Sequence, residues 1–162
     1  MNYFPHYQQI VKYVLKHQIT SINQLLSTTN IAFTYLNDFE EEMSWIDHCI
    51  DATFALELRT VLLRQDLPYY RNKLALLHEA SHILLGHKGN FKLSCLPQSG
   101  SLEEHEANMS AYCLLLLFRF YETSEIRYDF EEIADTYGLS YCEIDNLIEA
   151  HQFVNSLLSE KL

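Results

Sequence analysis

The sequence predicts an α+β fold that is mostly helical and carries a small antiparallel sheet. Apolar residues recur at helical spacing in several stretches, most clearly at 69–85 and 101–120. Residues 52–58 and 60–64 instead combine aromatic and β-branched side chains without a helical stripe, which is typical of strands. No linker rich in Pro, Gly or Ser and no repeat divides the chain, so we expect one domain over 1–162.

Two helices are predicted ahead of the strands. Residues 4–16 carry apolar side chains at helical spacing, and Pro5 lies near the start, where proline is tolerated. A second, short helix is expected to follow Ser21 or Thr20, either of which could cap it, and to run through Leu26.

The helix predicted at 69–85 has clear boundary signals. Pro68 breaks the chain ahead of it, and Gly86 and Gly89 suit its C-terminal cap. A loop is expected to follow at 88–100.

Further helices are predicted in the second half of the chain. One begins after Ser99 or Ser101 and ends near Phe120. A final helical pair covers 130–158. The helical content therefore exceeds the strand content by a wide margin.

Composition excludes several classes of function. Hydrophobic residues make up 48% of the chain, so disorder is not expected. Eleven Lys and Arg against 22 Asp and Glu give a formal net charge of −11, which argues against a nucleic-acid or acidic-membrane partner. The N-terminus lacks the pattern of a signal peptide, and the longest apolar run, 114–118, is too short to span a membrane. We therefore expect a cytoplasmic protein whose scattered cysteines are reduced thiols, namely Cys49, Cys95, Cys113 and Cys142.

The most informative motif is His78-Glu-Ala-Ser-His82. Two histidines four residues apart lie on one face of a helix, because each turn takes about 3.6 residues, so they can bind one metal ion together. Glu79 lies about 100° around the helix, beside the metal position, where zinc hydrolases place a base. Leu74 and Leu77 flank the histidine face and indicate that it is buried. The alternative is a pair of hydrogen-bonded core histidines without a metal.

Zinc needs a third protein ligand and an open position for water. His87 lies five residues past the second motif histidine and so off the ligand face, where a supporting or capping role is more common. A carboxylate from the next helix is the better candidate, and that helix offers Glu103, Glu104 and Glu106. Asn108 shares a face with Glu104 and could steady a histidine ligand.

Glu104 also has a structural interpretation. Ser101-x-x-Glu104 matches a capping box, in which the carboxylate turns back to the backbone of its own helix. Periodicity alone does not choose between the metal and the cap.

Two motifs together resemble the ImmA/IrrE family of metallopeptidases, which pairs an HExxH helix with a following ExxAN helix. This chain carries His78-Glu-Ala-Ser-His82 and then Glu104-His-Glu-Ala-Asn108. The resemblance implies a zincin-like, gluzincin-type domain. It implies His78, His82 and Glu104 as zinc ligands, Glu79 as the base, and Asn108 as a group that supports the site.

The resemblance covers about residues 50–117 and is weak over the N-terminal third. The family usually has Met-Pro after a pair of leucines, where this chain has Leu116 and Leu117. The end of that helix is therefore expected to differ. The family's common glycine before the second histidine is Ser81 here, a small residue that should still pack closely.

The C-terminal helical pair raises a rival function. Residues 131–147 look like a helix-turn-helix, with Ala134, Gly138 and Leu139 at the small, turn and core positions. However, residues 128–160 contain no Lys or Arg. The same stretch carries seven acidic residues ahead of Glu160. Because duplex binding depends mostly on phosphate neutralisation, we predict a structural or protein-docking pair that does not bind DNA.

The sequence thus predicts a zinc-dependent endopeptidase with limited, regulatory specificity, possessing a strand edge on which an extended substrate could add. The resemblance implies a protein substrate such as a helix-turn-helix repressor of mobile-element or stress genes, which would make the protein an anti-repressor. The alternative is a non-proteolytic regulator that keeps the fold to bind a partner. A third class, a metal-free toxin- or antitoxin-like binding protein, predicts no zinc in the purified protein.

Overall fold

The computed structural model describes residues 6–35, 52–88, 102–125 and 128–159. These residues form helices around a small sheet, which confirms the predicted α+β class. In chain order the elements are α1 (His6–Lys16), α2 (Ile22–Thr29), β1 (Ala32–Tyr35), β2 (Ala52–Ala55), β3 (Thr60–Leu63), α3 (Tyr69–Leu85), α4 (Leu102–Thr123), α5 (Phe130–Tyr137) and α6 (Tyr141–Ser159).

The two predicted strands form an antiparallel pair, and a third strand makes the sheet mixed. The strand order is β1-β3-β2, with β2 antiparallel to β3. β1 pairs with β3 in parallel, Ala32 opposite Thr60. The sequence prediction missed β1, because a four-residue strand carries little local pattern and its partner lies far along the chain.

The short α2 begins at one of its two predicted caps and runs to Thr29, three residues past its predicted end at Leu26. The Ser21 Oγ accepts the Gln24 N–H at 3.2 Å, which confirms Ser21 as the cap. Asn30 adopts the left-handed conformation, with φ 54°, and so ends the helix at Thr29. The first two residues of the predicted helix at 4–16 lie outside the described residues.

The bounds of α3 agree with the prediction, and its C-terminus is a Schellman motif. Gly86 is left-handed, with φ 70°, and its N–H donates to the carbonyl of Ile83 at 3.2 Å. The N–H of His87 donates back to the carbonyl of His82 at 3.0 Å. The chain therefore reverses over the last turn of the helix. The second predicted capping glycine lies outside the described residues.

The central helix of the core is α4, which is contacted by α1, α3 and α6. Every residue from Met109 to Phe118 is buried, so this stretch packs on all sides. Leu116 and Leu117 continue the helix to Thr123, because neither is a proline that would interrupt it. No helix of the described residues is long and apolar enough to cross a membrane.

The start of α4 is described from Leu102 onward. Both predicted start residues, Ser99 and Ser101, lie outside the described residues. Of the predicted loop, only Lys88 lies inside them. The capping-box interpretation of Glu104 is therefore judged by the carboxylate's other neighbours, which belong to the site below.

The pair formed by α5 and α6 has the predicted turn. Gly138 is left-handed, with φ 67°, and the Leu139 N–H donates to the carbonyl of Ala134 at 2.8 Å. The Arg71 guanidinium on α3 donates to the Gly138 carbonyl at 3.0 Å and holds the turn against that helix. The buried face of α6, which includes Leu147, lies in the same core as α4.

Candidate metal centre

The two motif histidines lie one turn apart on α3. Their Nε2 atoms are 3.2 Å apart, so both rings aim at one point. Packing of Leu74 and Leu77 in the core fixes the rotation of the helix. His82 is almost fully buried, whereas the His78 side chain keeps 21% of its surface exposed. The pair therefore lies at the boundary between the core and solvent.

The carboxylate of Glu104 on α4 faces both rings. Its Oε2 lies 3.3 Å from the Nε2 of His78, and its Oε1 lies 3.3 Å from the Nε2 of His82. The ligand atoms of these three residues all lie within 4.8 Å of one another. Glu103, by contrast, is exposed, and Glu106 is buried against different partners. The structure thus brings together the three residues that the resemblance implied as ligands.

The donor set has the chemistry of a zinc site. Two ligand atoms at about 2.0–2.1 Å from a tetrahedral zinc ion lie roughly 3.3–3.4 Å apart. The Nε2 atoms of His78 and His82 are 3.2 Å apart, close to that separation, and each lies 3.3 Å from a different oxygen of Glu104. Two imidazoles and one carboxylate are also a donor set used by catalytic zinc, which needs a further open position. The 41% exposure of the Glu104 side chain is consistent with such an opening.

Electrostatics couples the three groups. Hydrogen bonds to both histidines outweigh the effect of burial and hold the pKa of Glu104 well below its usual range. Burial acts to lower the pKa of His78, but the Glu104 hydrogen bond and the nearby Glu79 and Glu104 charges raise it overall. Burial dominates at His82 and lowers its pKa, which favours a neutral imidazole. Metal binds a neutral imidazole and an ionised carboxylate, which are the favoured forms of His82 and Glu104, whereas a protonated His78 must lose its proton on binding.

Glu79 lies beside the cluster without joining it. Its Oε1 is 3.9 Å from the Nε2 of His78, and its side chain is only 12% exposed. Burial raises the pKa of Glu79 to about 7, against the opposing effect of His78. A carboxylate with this environment has the proton affinity of a general acid–base group near neutral pH.

Asn108 lies on α4, one turn beyond Glu104. Its side chain hydrogen-bonds to His78 and favours the charged form of that ring. Ser81, at the family's usual glycine position, is fully buried, and its Oγ donates to the Leu77 carbonyl at 2.7 Å. The hydroxyl is therefore satisfied inside the helix, and the small side chain packs as expected.

Sequence reasoning missed one contact from the sheet. The Phe54 ring on β2 stacks on the His82 ring, with centroids 4.9 Å apart and planes 9° from parallel. The aromatic and β-branched residues of 52–58 indicated that Phe54 belongs to a strand, but they gave no sign of the helix that the strand would meet. The stacking places an edge of the sheet directly beside the candidate metal ligands.

A second buried cluster lies behind the ligands. The Nδ1 of His87 is 2.9 Å from the Nδ1 of His82, and the Nε2 of His87 is 3.4 Å from a Glu106 oxygen. His6, at the start of α1, approaches the same carboxylate at 3.1 Å. His87 contacts His82 without belonging to the three-residue cluster, and its predicted supporting role stays a prediction. Nothing local indicated Glu106 or His6 as its neighbours.

An HExxH helix, a carboxylate from a second helix and a small sheet beside them define a metallopeptidase-fold protein. The chain matches the Peptidase M78 family, described as the IrrE N-terminal-like domain, over residues 31–148. It therefore belongs to that family, which confirms the predicted ImmA/IrrE membership. The match extends beyond 50–117 to include β1, α5 and the start of α6. No curated protein and no solved structure matches the chain.

Proposed function

We propose that this protein is a zinc-dependent endopeptidase in which His78, His82 and Glu104 bind the metal. The observation that carries the proposal is the convergence of two imidazoles and one carboxylate, with their ligand atoms within 4.8 Å of one another, beside the largely buried Glu79. Membership of a peptidase family supports the same chemistry. The exposed edge of the cluster gives a peptide a route to it.

A zinc ion bound by this cluster would polarise a scissile carbonyl and lower the pKa of a water molecule. Glu79 is placed to move the protons. Its carboxylate accepts a proton from the water that attacks the carbonyl carbon, and the C–N bond breaks as Glu79 delivers that proton to the leaving amine. Asn108 and Phe54 hold the two histidine rings while this happens. The water molecule adds across the peptide bond, so no further reactant is needed.

The substrate is proposed to bind in an extended conformation along β2. In the part of the chain that the structure describes, β2 is an edge strand whose strand partner is β3. An extended peptide can pair with such an edge through its backbone, which makes recognition tolerant of side chains. Since Phe54 on this strand stacks on His82, a peptide paired there would pass close to the ligands.

The proposed substrate is a regulatory protein, with a helix-turn-helix repressor as the specific candidate. The net charge of −11 supports a partner with basic segments, and DNA-binding proteins carry such segments. The same charge, and the absence of Lys and Arg from 128–159, argue against direct DNA binding by α5 and α6. These helices are proposed to belong to the same domain as the site.

The test is a comparison of the wild type with a Glu79→Gln variant. Both proteins are purified with zinc, analysed for metal and incubated with a repressor encoded beside the gene, and fragments are identified by mass spectrometry. We expect one zinc ion per chain in both proteins and cleavage by the wild type alone. Loss of the base should reduce the cleavage rate by about 100-fold or more.

Two controls separate the alternatives. Glu103→Gln removes an exposed carboxylate on α4 and should leave both zinc and cleavage unchanged. A biological effect that survives Glu79→Gln would instead indicate a binding module that keeps the metallopeptidase fold. A wild-type protein purified without zinc, and unable to take it up, would overturn the metal site itself.

A further inference from the structure

A continuous series of polar contacts runs from the proposed ligand His82 through the buried His87 and Glu106 to His6 at the start of α1, which is half exposed. His82 and His87 meet through their Nδ1 atoms at 2.9 Å, and the Nε2 of His87 lies 3.4 Å from Oε2 of Glu106. The other oxygen of Glu106 lies 3.1 Å from Nδ1 of His6. The side chains of His87 and Glu106 are only 7% and 6% exposed. These contacts therefore connect α3, α4 and α1.

The donor in each of these contacts is fixed once it is known which nitrogen of His82 carries the proton. The Nε2 of His82 faces Glu104 and His78, so metal binding requires that nitrogen to carry a lone pair. The proton of neutral His82 then lies on Nδ1 and is donated to the Nδ1 of His87. His87 consequently carries its own proton on Nε2 and donates it to the Glu106 carboxylate. His82, His87 and Glu106 then each have one consistent role as hydrogen-bond donor or acceptor in these contacts.

We propose that His87 and Glu106 are positioning residues that fix the orientation and tautomer of His82 for metal binding. The inference rests on the proposed zinc site and adds to it a buried carboxylate that acts through an intervening histidine. Metal-ligating histidines usually donate their second N–H to a carboxylate, a carbonyl or a water. Here a second imidazole fills that position and passes the interaction on to the carboxylate.

The local fold explains why the intervening histidine is present. The Schellman turn at Gly86 reverses the chain, so that His87 returns alongside His82 and the two rings lie 5.0 Å apart. Glu106 projects from α4 and contacts the far nitrogen of His87, on the side away from His82. A buried carboxylate needs hydrogen-bond partners, and His87 and His6 supply them. The relay thus satisfies a buried carboxylate and a ligand together.

The experiment measures zinc affinity by competition with a chelator in full-length variants. His87→Leu should weaken zinc binding 10- to 100-fold, and Glu106→Gln about tenfold, because outer partners of metal ligands have effects of this size. His87→Gln should restore part of the loss, because its amide can accept from His82 and donate to Glu106. His105→Leu is the matched control, an exposed histidine on the same helix as Glu106, and should bind zinc normally.

A second measurement separates positioning from folding. The ¹⁵N shifts of His87 report its tautomer with or without zinc, and we expect the proton on Nε2 and a bare Nδ1. Unfolding of the metal-free variants shows whether a loss of affinity follows from a loss of stability alone. Wild-type zinc affinity in both His87→Leu and Glu106→Gln, or a proton on Nδ1 of His87, would overturn the relay.

These outcomes are distinct from failure of the proposed function. If the wild type binds zinc but the variants bind it equally well, the relay is wrong and the metal site stands. If the wild type binds no zinc, the proposed function is wrong, and the tautomer of His87 still decides whether the hydrogen bonds run as inferred.

Discussion

The Nδ1 atoms of His82 and His87 lie 2.9 Å apart, although α3 ends at Leu85. A continuous helix would place a residue five positions on about 140° around the axis, away from His82. The contact exists because Gly86 adopts a left-handed conformation and turns the chain back over the last helical turn. A backbone turn therefore decides what lies behind His82, a proposed metal ligand.

Gly86→Ala should lower the free energy of unfolding by about 1–2 kcal/mol, because an alanine at φ 70° is strained. No atom lies within 4 Å of the added Cβ, so the cost comes from the backbone and not from a clash. Gly86→Asn should recover much of the loss, since asparagine tolerates this conformation. Urea unfolding measures the stabilities. Equal stability of Gly86→Ala and the wild type would contradict the requirement for a left-handed residue.

Glu104→Ala should remove most of the bound zinc, whereas Glu103→Ala should retain it. The reason is geometric: the Glu104 carboxylate lies 3.3 Å from the Nε2 atoms of both His78 and His82, while Glu103 is exposed. Metal analysis of the purified proteins measures the difference. Full zinc content in Glu104→Ala, combined with reduced helix stability, would favour the capping role of that carboxylate instead.

The Glu143 carboxylate should make stability depend on acid pH. Burial acts to raise its pKa, but hydrogen bonds from Tyr112, at 2.7 Å, and from Ser140 prevail and lower it below 4.5. A lowered folded-state pKa contributes stability above the ordinary pKa, and this contribution is lost as pH falls through the lowered value. Tyr112→Phe should therefore lower the free energy of unfolding by about 1–2 kcal/mol at pH 7, and by less in acid.

The control for this effect is Tyr128→Phe. The Tyr128 hydroxyl donates to the Leu116 carbonyl at 3.3 Å, a neutral acceptor that does not titrate. Tyr128→Phe should lower the free energy of unfolding by a similar or smaller amount. This loss should be the same at pH 7 and in acid. Thermal or urea unfolding across that range compares the two variants. A pH-independent effect of Tyr112→Phe would show that the hydrogen bond to Glu143 does not perturb its titration.

The cysteines of the described residues should differ sharply in reactivity. Cys113 is fully buried in α4, and burial raises the pKa of its thiol, so little thiolate forms. Cys142, at the start of α6, is exposed, and both are free thiols. A thiol reagent followed by peptide mapping should modify Cys142 in the native protein and Cys113 only after unfolding. Rapid native labelling of Cys113 would imply that α4 opens locally. Cys49 and Cys95 lie outside the described residues.

Local spacing was sufficient to predict α3 and its paired histidines. A four-residue separation places His78 and His82 together in any α-helix, whatever the helix packs against. The same reasoning placed Glu104 and Asn108 on one face of α4, and the structure brings that face to the histidines. The choice between Glu104 as a metal ligand and as a helix cap was not local, because it depends on where a second helix lies.

The sequence by itself determined the helices, their caps, the strand pair and the metal-binding motif, since each depends on residues within a few positions of one another. Only the tertiary structure decided the parallel pairing of β1, the stacking of Phe54 on His82 and the line from His87 through Glu106 to His6. These contacts join residues that are far apart in the chain. Their formation depends on the packing of whole elements, and no local periodicity encodes it.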